Sequence, residues 1–344
     1  MEMRFLGHSG LKVSVLSFGT MTFSRPEGWT HVGSTQVDEA RVMLDMCLDA
    51  GINLVDTADV YSGGQSEEIL GEAIKGKRDQ IVLATKVFGR MGQGAQDVGH
   101  SRAHIVKACE DSLRRLQTDY IDLYQSHGFD AQTPLDETLA AYDQLIQSGK
   151  VRYIGCSNYS GWHLMKALAI SESRNLARYV SQQTYYSLVG RDLEYELVPL
   201  ALDQNVGILV WSPLAAGFLT GKFQRGESGP GNTRWSWEGD PPMQMTQDQA
   251  YDVVATVVAI AEERGVSPTQ VSLNWLLRKP GVTSVIFGAR TIEQLKDNLN
   301  AASWSLSDDE MERLNAVSEL KPPYPYWHQR QYASERNPRL PQVR

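Results

Sequence analysis

The sequence predicts an α/β protein, a (β/α)8 TIM barrel with an N-terminal β-hairpin plug and an extra C-terminal helix and tail. Three observations predict it. Eight short β-branched runs alternate with amphipathic stretches of crossover-helix length, the pattern of βα units feeding a parallel sheet. At 344 residues and 42% hydrophobic, the chain can bury a large core as one barrel or as two ordinary domains, and no composition break marks a boundary. Finally, Asp56, Tyr61, Lys86 and His127 each follow an apolar run, where a parallel barrel brings strand-end residues into its mouth.

In chain order, RFLGHSGLKVSVLSFGT reads as a hairpin with a Ser-Gly turn leading into the first barrel strand, a plug for the barrel's bottom. The eight runs are VLSFGT (15–20), INLVDTA (52–58), IVLATK (81–86), IDLYQSH (121–127), VRYIGCSN (151–158), YVSQQTY (179–185), GILVWSP (207–213) and TSVIFGA (283–289). Helices are predicted between them at 37–50, 67–75, 102–117, 134–148, 161–173, 191–205, 248–278 (broken near Pro268) and 291–300. Gly51, Gly149 and Gly265 stand where helices should stop. Asp308 to Ser318 forms a further helix, with Ser307 and Glu310 spaced as a capping box. One domain is therefore expected over 1–344: hairpin 1–14, barrel 15–300, and C-terminal helix and tail 301–344. The Gly/Pro-rich stretch 224–247 falls between the seventh and eighth strands and reads as a functional loop rather than a linker. The Pro-rich, aromatic tail KPPYPYWHQRQYASERNPRLPQVR cannot hold a long helix. It is either a surface or oligomer contact, or a contributor to the substrate pocket through Tyr324, Tyr326 or Trp327.

Composition narrows the function classes. A net charge of -8 argues against a general nucleic-acid or anionic-membrane surface, so an anionic ligand must meet a local basic patch. No apolar run reaches spanning length and MEMRFLGHSG lacks the features of a signal peptide, so a cytoplasmic protein is expected. Cys47, Cys109 and Cys156 show no CxxC or ligand spacing and read as reduced, half-buried thiols, with no metal site.

Taken singly, Asp56 is a strand-to-helix cap, Lys86 a solvated lysine, His127 a polar rim residue and Tyr61 a core or surface phenol. Together they make an acid–base set. The chain resembles the aldo-keto reductases, closest to the bacterial and potassium-channel-β-subunit-like branches, from Arg4 to about Ala301. The passages that carry the resemblance are LGHSGLKVSVLSFGTM, GINLVDTADVYSGGQSEEILGEAI, VLATK, DSLRRLQTDYIDLYQSH, GKVRYIGCSNYS, QQTYYSL, VWSPLAAGFLTGK and GARTIEQLKDNL. The resemblance implies that Tyr61 is the general acid that protonates a carbonyl oxygen. A phenol has a pKa of about 10, and lowering it by about two to three units takes about 3–4 kcal/mol. An ammonium at about 4 Å supplies that at an effective dielectric near 20. Lys86 would be that ammonium, Asp56 would hold it charged, and His127 would orient the substrate oxygen.

No GxGxxG follows a strand; the nearest match, GQGAQD at 92–97, lacks the third glycine, which argues against a Rossmann site. The resemblance instead implies an extended NADPH across the barrel mouth. Carried over position by position, Thr20 and Asp56 border the cofactor, Ser157, Asn158 and Gln183 hydrogen-bond the carboxamide, and Trp211 stacks on the nicotinamide where many relatives have Tyr. Backbone amides near Ser212, Leu214, Gly217 and Leu219 would meet the pyrophosphate, helped by Lys222 and Arg234. Gly288 and Arg290 open the last helix, with Arg290 facing a 2'-phosphate, and Gln294 and Asn298 hold the adenine end. Phe287 departs from the Pro that relatives often carry before this Gly. Trp211 as a buried barrel aromatic and Arg290 in a surface ion pair are the plainer alternatives.

Phe23, Trp29, Phe88, Phe129 and Trp235 or Trp237 are expected to line an aromatic mouth for bulky or ring-bearing carbonyls, unless the rings only pack loops together. Three functions fit. They are an NADPH-dependent aldehyde or ketone reductase acting on a small molecule, with a homo-oligomer allowed; a nucleotide-sensing regulatory subunit with slow turnover; and a Schiff-base enzyme using Lys86.

Overall fold

The computed structural model describes residues 1–25, 27, 32–223, 225 and 243–332. The chain opens with a hairpin, β1 (Met3–Phe5) against β2 (Lys12–Ser14), antiparallel. Eight parallel strands then close into a barrel: β3 (Leu16–Gly19), β4 (Leu54–Asp56), β5 (Val82–Val87), β6 (Ile121–Ser126), β7 (Val151–Ser157), β8 (Tyr179–Tyr185), β9 (Gly207–Trp211) and β10 (Val282–Phe287). β10 pairs back onto β3, so no edge is left open.

Alternation along the strands sorts side chains into two cores. Leu54, Val82, Ala84, Leu123, Leu209 and Ile286 point into the barrel, where Leu6 and Val13 of the hairpin join them and fill its base. Val55, Leu83 and Tyr124 point outward to the helices. The plug sits tightly: Gly7 has φ +55°, and a Cβ there would lie 2.1 Å from the Val180 carbonyl.

The ring of helices is α1 (Val37–Asp49), α2 (Gln65–Ala73), α3 (Arg102–Leu116), α4 (Leu135–Gln147), α5 (Gly161–Arg174), α6 (Leu197–Gln204), α7 (Gln247–Arg264), α8 (Pro268–Leu277) and α9 (Ile292–Asn300). α10 (Asp308–Val317) carries the capping box read from the sequence, and α11 (Tyr326–Tyr332) ends the described chain. The predicted 248–278 helix is two helices, because the Ser267 hydroxyl caps a new start just before Pro268. The predicted 191–205 helix is also divided, into a 3-10 turn at Asp192–Glu194 and α6. Its first turn faces inward: Glu194 accepts from Tyr186 and Arg191 and pairs with Lys279 at 3.0 Å. Gly51, Gly149 and Gly265 all take positive φ at helix ends, as expected.

In the tail, Tyr326 packs on Tyr195 before α6, at 5.4 Å between ring centroids, while Tyr324 is 76% exposed. The tail thus docks on the β8–α6 connection. No described helix is long and apolar enough to cross a membrane.

Candidate active site at the barrel mouth

The same alternation that builds the barrel interior places the polar site one layer above it. Two residues past Leu54, Ala84, Leu123 and Leu209 come Asp56, Lys86, Gln125 and Trp211, on the same face of their strands. Register then brings Lys86 beside Gln125, and Ser157 beside Gln183. Polar side chains at the carboxyl ends of the strands therefore converge without being near in sequence.

Lys86 is fully buried, and each donor of its ammonium is used. It donates to Asp56 Oδ1 at 2.5 Å, the Thr57 carbonyl at 2.8 Å and Tyr61 Oη at 3.2 Å. Burial would lower its pKa, but the charge of Asp56 and the phenol of Tyr61 outweigh burial and raise it. Asp56 Oδ2 accepts from Gln183 Nε2 at 2.9 Å and Gln125 Nε2 at 3.2 Å. A carboxylate only accepts, so both glutamines must present their nitrogens to it, which turns their oxygens elsewhere.

Tyr61 leads a 3-10 turn in which Ser62 (φ 50°) and Gly63 (φ 65°) are left-handed, swinging the phenol back over the barrel. The His127 ring meets it edge-on, 5.7 Å between centroids. Burial, then the Lys86 ammonium, then His100 push His127 down to about 3, so its imidazole is neutral and keeps one N–H donor. Acid, phenol, ammonium and neutral imidazole thus share one small volume.

Around them, Asn158 adopts φ 58° and links two rims: its Nδ2 donates to the His127 carbonyl at 3.0 Å, and its Oδ1 accepts from Trp211 Nε1 at 3.1 Å. The Trp211 ring is half-buried beside Tyr185. Beyond it the chain makes a left-handed turn through Ser212, Ala215, Ala216 and Gly217, with Lys222 exposed just after. At the start of α9, the Arg290 N–H donates to Gln294 Oε1 at 2.9 Å and Arg290 Nε to the Val32 carbonyl at 2.9 Å. A half-buried indole, a turn with successive left-handed residues and a guanidinium at a helix start suit a flat ring, a pyrophosphate and a further phosphate in that order.

The structure moves Phe23 from the expected mouth to the core and gives other expected residues their own partners. Thr20 is buried, its hydroxyl bonded to Ser66 and the Asp56 carbonyl, which ties it to the strand that carries Asp56. Phe23 is wholly buried against Phe18 at 5.8 Å and belongs to the core, because a ring with that neighbour packs better inside than at a wet rim. Amides of Gly217 and Leu219 donate to the Leu214 carbonyl at 3.0 and 3.2 Å, within the turn itself. Asn298 is buried and donates to the Gly288 carbonyl, bracing the loop between β10 and α9. The Ser157 hydroxyl donates to the Gln183 carbonyl. Phe129 lies flat on His163, centroids 3.5 Å apart, turned toward α5, whereas Phe88 is half-buried against His100. Trp29, Arg234, Trp235 and Trp237 lie outside the described residues. The sequence reading missed Gln125, although inward parity two residues past Leu123 marks it. Among the described residues, no cluster has the composition of a metal site.

Residues 15–319 match the Aldo/keto reductase family. The chain is 38% identical to an uncharacterised oxidoreductase of Bacillus subtilis (strain 168), YrpG, over 92% of this chain and 96% of that protein. It is 35% identical to a probable voltage-gated potassium channel subunit beta of Arabidopsis thaliana, over 94% and 99% of the two chains. A putative subunit of the same kind from Schizosaccharomyces pombe (strain 972 / ATCC 24843) is 36% identical, over 93% and 94%.

Proposed function

The chain belongs to the aldo/keto reductase family, and on that premise we propose that it reduces an aldehyde or ketone to the alcohol with NADPH, reversibly, as a single barrel domain of the cytoplasm. The observation that carries this reading is the buried Lys86 ammonium held between Asp56 and the Tyr61 phenol. An ammonium 3.2 Å from a phenol oxygen favours the phenolate, so Tyr61 gives its proton to a carbonyl oxygen more readily than a free phenol does. Neutral His127 donates a hydrogen bond to that same oxygen and orients it. Asp56, with Gln125 and Gln183 on its second oxygen, keeps the Lys86 charge in place. NADPH, when bound, supplies the hydride. Ser157, Asn158 and Gln183 would hold its carboxamide, Trp211 its ring, the turn from Ser212 with Lys222 its pyrophosphate, and Arg290 with Gln294 its adenosine phosphate end. The fork of Arg290 favours a 2'-phosphate.

A Schiff-base role for Lys86 fits poorly, since that chemistry needs a lysine whose pKa is lowered and this one is raised. The relatives named as channel subunits favour one second reading, a nucleotide-sensing subunit with slow turnover. NADPH oxidation measured with a panel of aromatic aldehydes and diketones, repeated with NADH and with Arg290→Ala, separates the two. Turnover that prefers NADPH and loses that preference in the variant supports the reductase. Tight NADPH binding with no turnover across the panel supports the sensor.

A further inference from the structure

Behind Tyr61 and Lys86 lies a second set of buried ionisable groups that the proton transfer does not use. Asp59, two residues before Tyr61, is fully buried, and neither of its carboxyl oxygens makes a hydrogen bond of good geometry, the adjacent Val60 amide pulling on them only weakly. Its backbone N–H donates to the Lys86 carbonyl at 3.3 Å, which seats it against the strand that carries the ammonium. Glu67 of α2 is also fully buried, and both its oxygens are taken, by Thr85 Oγ1 at 2.5 Å and Arg115 Nε at 2.7 Å. Arg115 reaches Glu67 from α3 by passing under the Tyr61 turn, where a Cβ on Gly64 would lie 2.8 Å from its Cδ. This guanidinium is therefore committed to Glu67, and Lys86 is committed to Asp56, Thr57 and Tyr61.

A buried carboxylate without well-aligned donors is the unfavourable form of the group, and a second carboxylate nearby makes it more so. Burial first, then the charge of Glu67, hold Asp59 up at about 8, against the weaker pull of Arg115, the Val60 amide and Lys86. The groups that face it are Glu67 from α2, Arg115 from α3 and Lys86 from β5. The buried phenols of Tyr124 on β6 and Tyr142 on α4 also feel its charge.

We propose that Asp59 is a positioning residue held as the neutral acid, which leaves the Lys86 charge to Asp56 and Tyr61 and so keeps Tyr61 an effective proton donor. The inference rests on the reading of Tyr61 as that donor. When Asp59 releases its proton to solvent hydroxide, the new negative charge competes for the field of Lys86, and the Tyr61 phenol becomes harder to ionise. An acid in this place makes the donor strength of the site depend on alkaline pH.

Two readouts test this without turnover. Carbon-13 NMR of the protein labelled at aspartate carboxyls, with the signal assigned through Asp59→Asn, should show Asp59 protonated at about pH 7 and losing its proton near about pH 8. Phenolate absorbance, assigned by its loss in Tyr61→Phe, should show Tyr61 ionising about one unit lower in Asp59→Asn than in the wild type. An Asp59 already ionised at about pH 6, or the same Tyr61 titration in both proteins, overturns the inference. If Asp59→Asn does not fold, Glu67→Gln must move one aspartyl titration downward, and no movement overturns it equally. A protein that shows both shifts but reduces no carbonyl defeats the reductase reading alone. One that reduces carbonyls with Asp59 ionised defeats only this inference.

Discussion

At the scale of single residues, the Asp56–Lys86 pair is the point on which stability and chemistry meet. Both members are buried, and removing one leaves the other charge without its partner. Lys86→Met should therefore cost about 3–5 kcal/mol in urea unfolding, and Asp56→Asn with Lys86→Met together should cost less than the sum of the two single changes. A double change as costly as that sum would mean that the pair is not coupled. In turnover, Lys86→Met should lower kcat by about 10²–10⁴ if the ammonium tunes the phenol, measured at saturating NADPH. Asp56, Lys86 and His127 were read from the sequence because each stands at the end of a strand-like run, LVD, IVLATK and IDLYQSH. Gln125 was not, because a glutamine inside IDLYQSH looks like any polar residue in a half-buried strand until parity is counted from Leu123.

Secondary-structure elements carry predictions of their own. The hairpin plug depends on a left-handed residue pressed against the Val180 carbonyl. Gly7→Ala should destabilise the fold by at least about 1–3 kcal/mol in chemical denaturation, through backbone strain and the displaced strand. Ser307→Ala removes the capping box of α10 and should cost about 0.5–2 kcal/mol, since Ser307 Oγ accepts the Glu310 N–H and Glu310 accepts the Ser307 N–H. An unchanged midpoint in either variant would show that these ends contribute nothing. All eight barrel strands were legible in the sequence, as β-branched runs bounded by turn residues. What was not legible depends on distant contacts. The 191–205 segment breaks because Glu194 turns inward to Lys279, which lies beyond α7 and α8 in the sequence, and Phe23 goes to the core against Phe18, a packing choice that no periodicity marks. The bond between the Thr20 hydroxyl and Ser66 on α2 was equally hidden, since the two residues are 46 apart in sequence.

For the whole molecule, burial of neutral histidines ties stability to pH. His100 is held down at about 4, chiefly by burial, and His127 at about 3. Unfolded histidines protonate below about pH 6.5, so between there and the folded values the unfolded chain binds more protons and stability falls as pH falls. Each histidine contributes about 1.4 kcal/mol per pH unit in that window. Glu194, which burial alone would push up, is drawn down to about 2 by Lys279 and Arg191, so its contribution is present above the ordinary glutamate range and is lost on further acidification. Melting temperature followed from about pH 7 to about pH 4 should therefore start to drop near about 6.5, and His100→Asn should flatten the first part of that drop. A melting temperature constant over the range would contradict the burial of these rings.

The central claim is that the barrel mouth transfers a proton from Tyr61 while NADPH is bound. It is tested most directly by NADPH oxidation with an aromatic aldehyde in the wild type and in Tyr61→Phe, both at nucleotide concentrations shown by fluorescence titration to saturate them. The account predicts that the variant binds NADPH as the wild type does and loses turnover by about 10²-fold or more. Turnover that survives the loss of the phenol at full NADPH occupancy would contradict it.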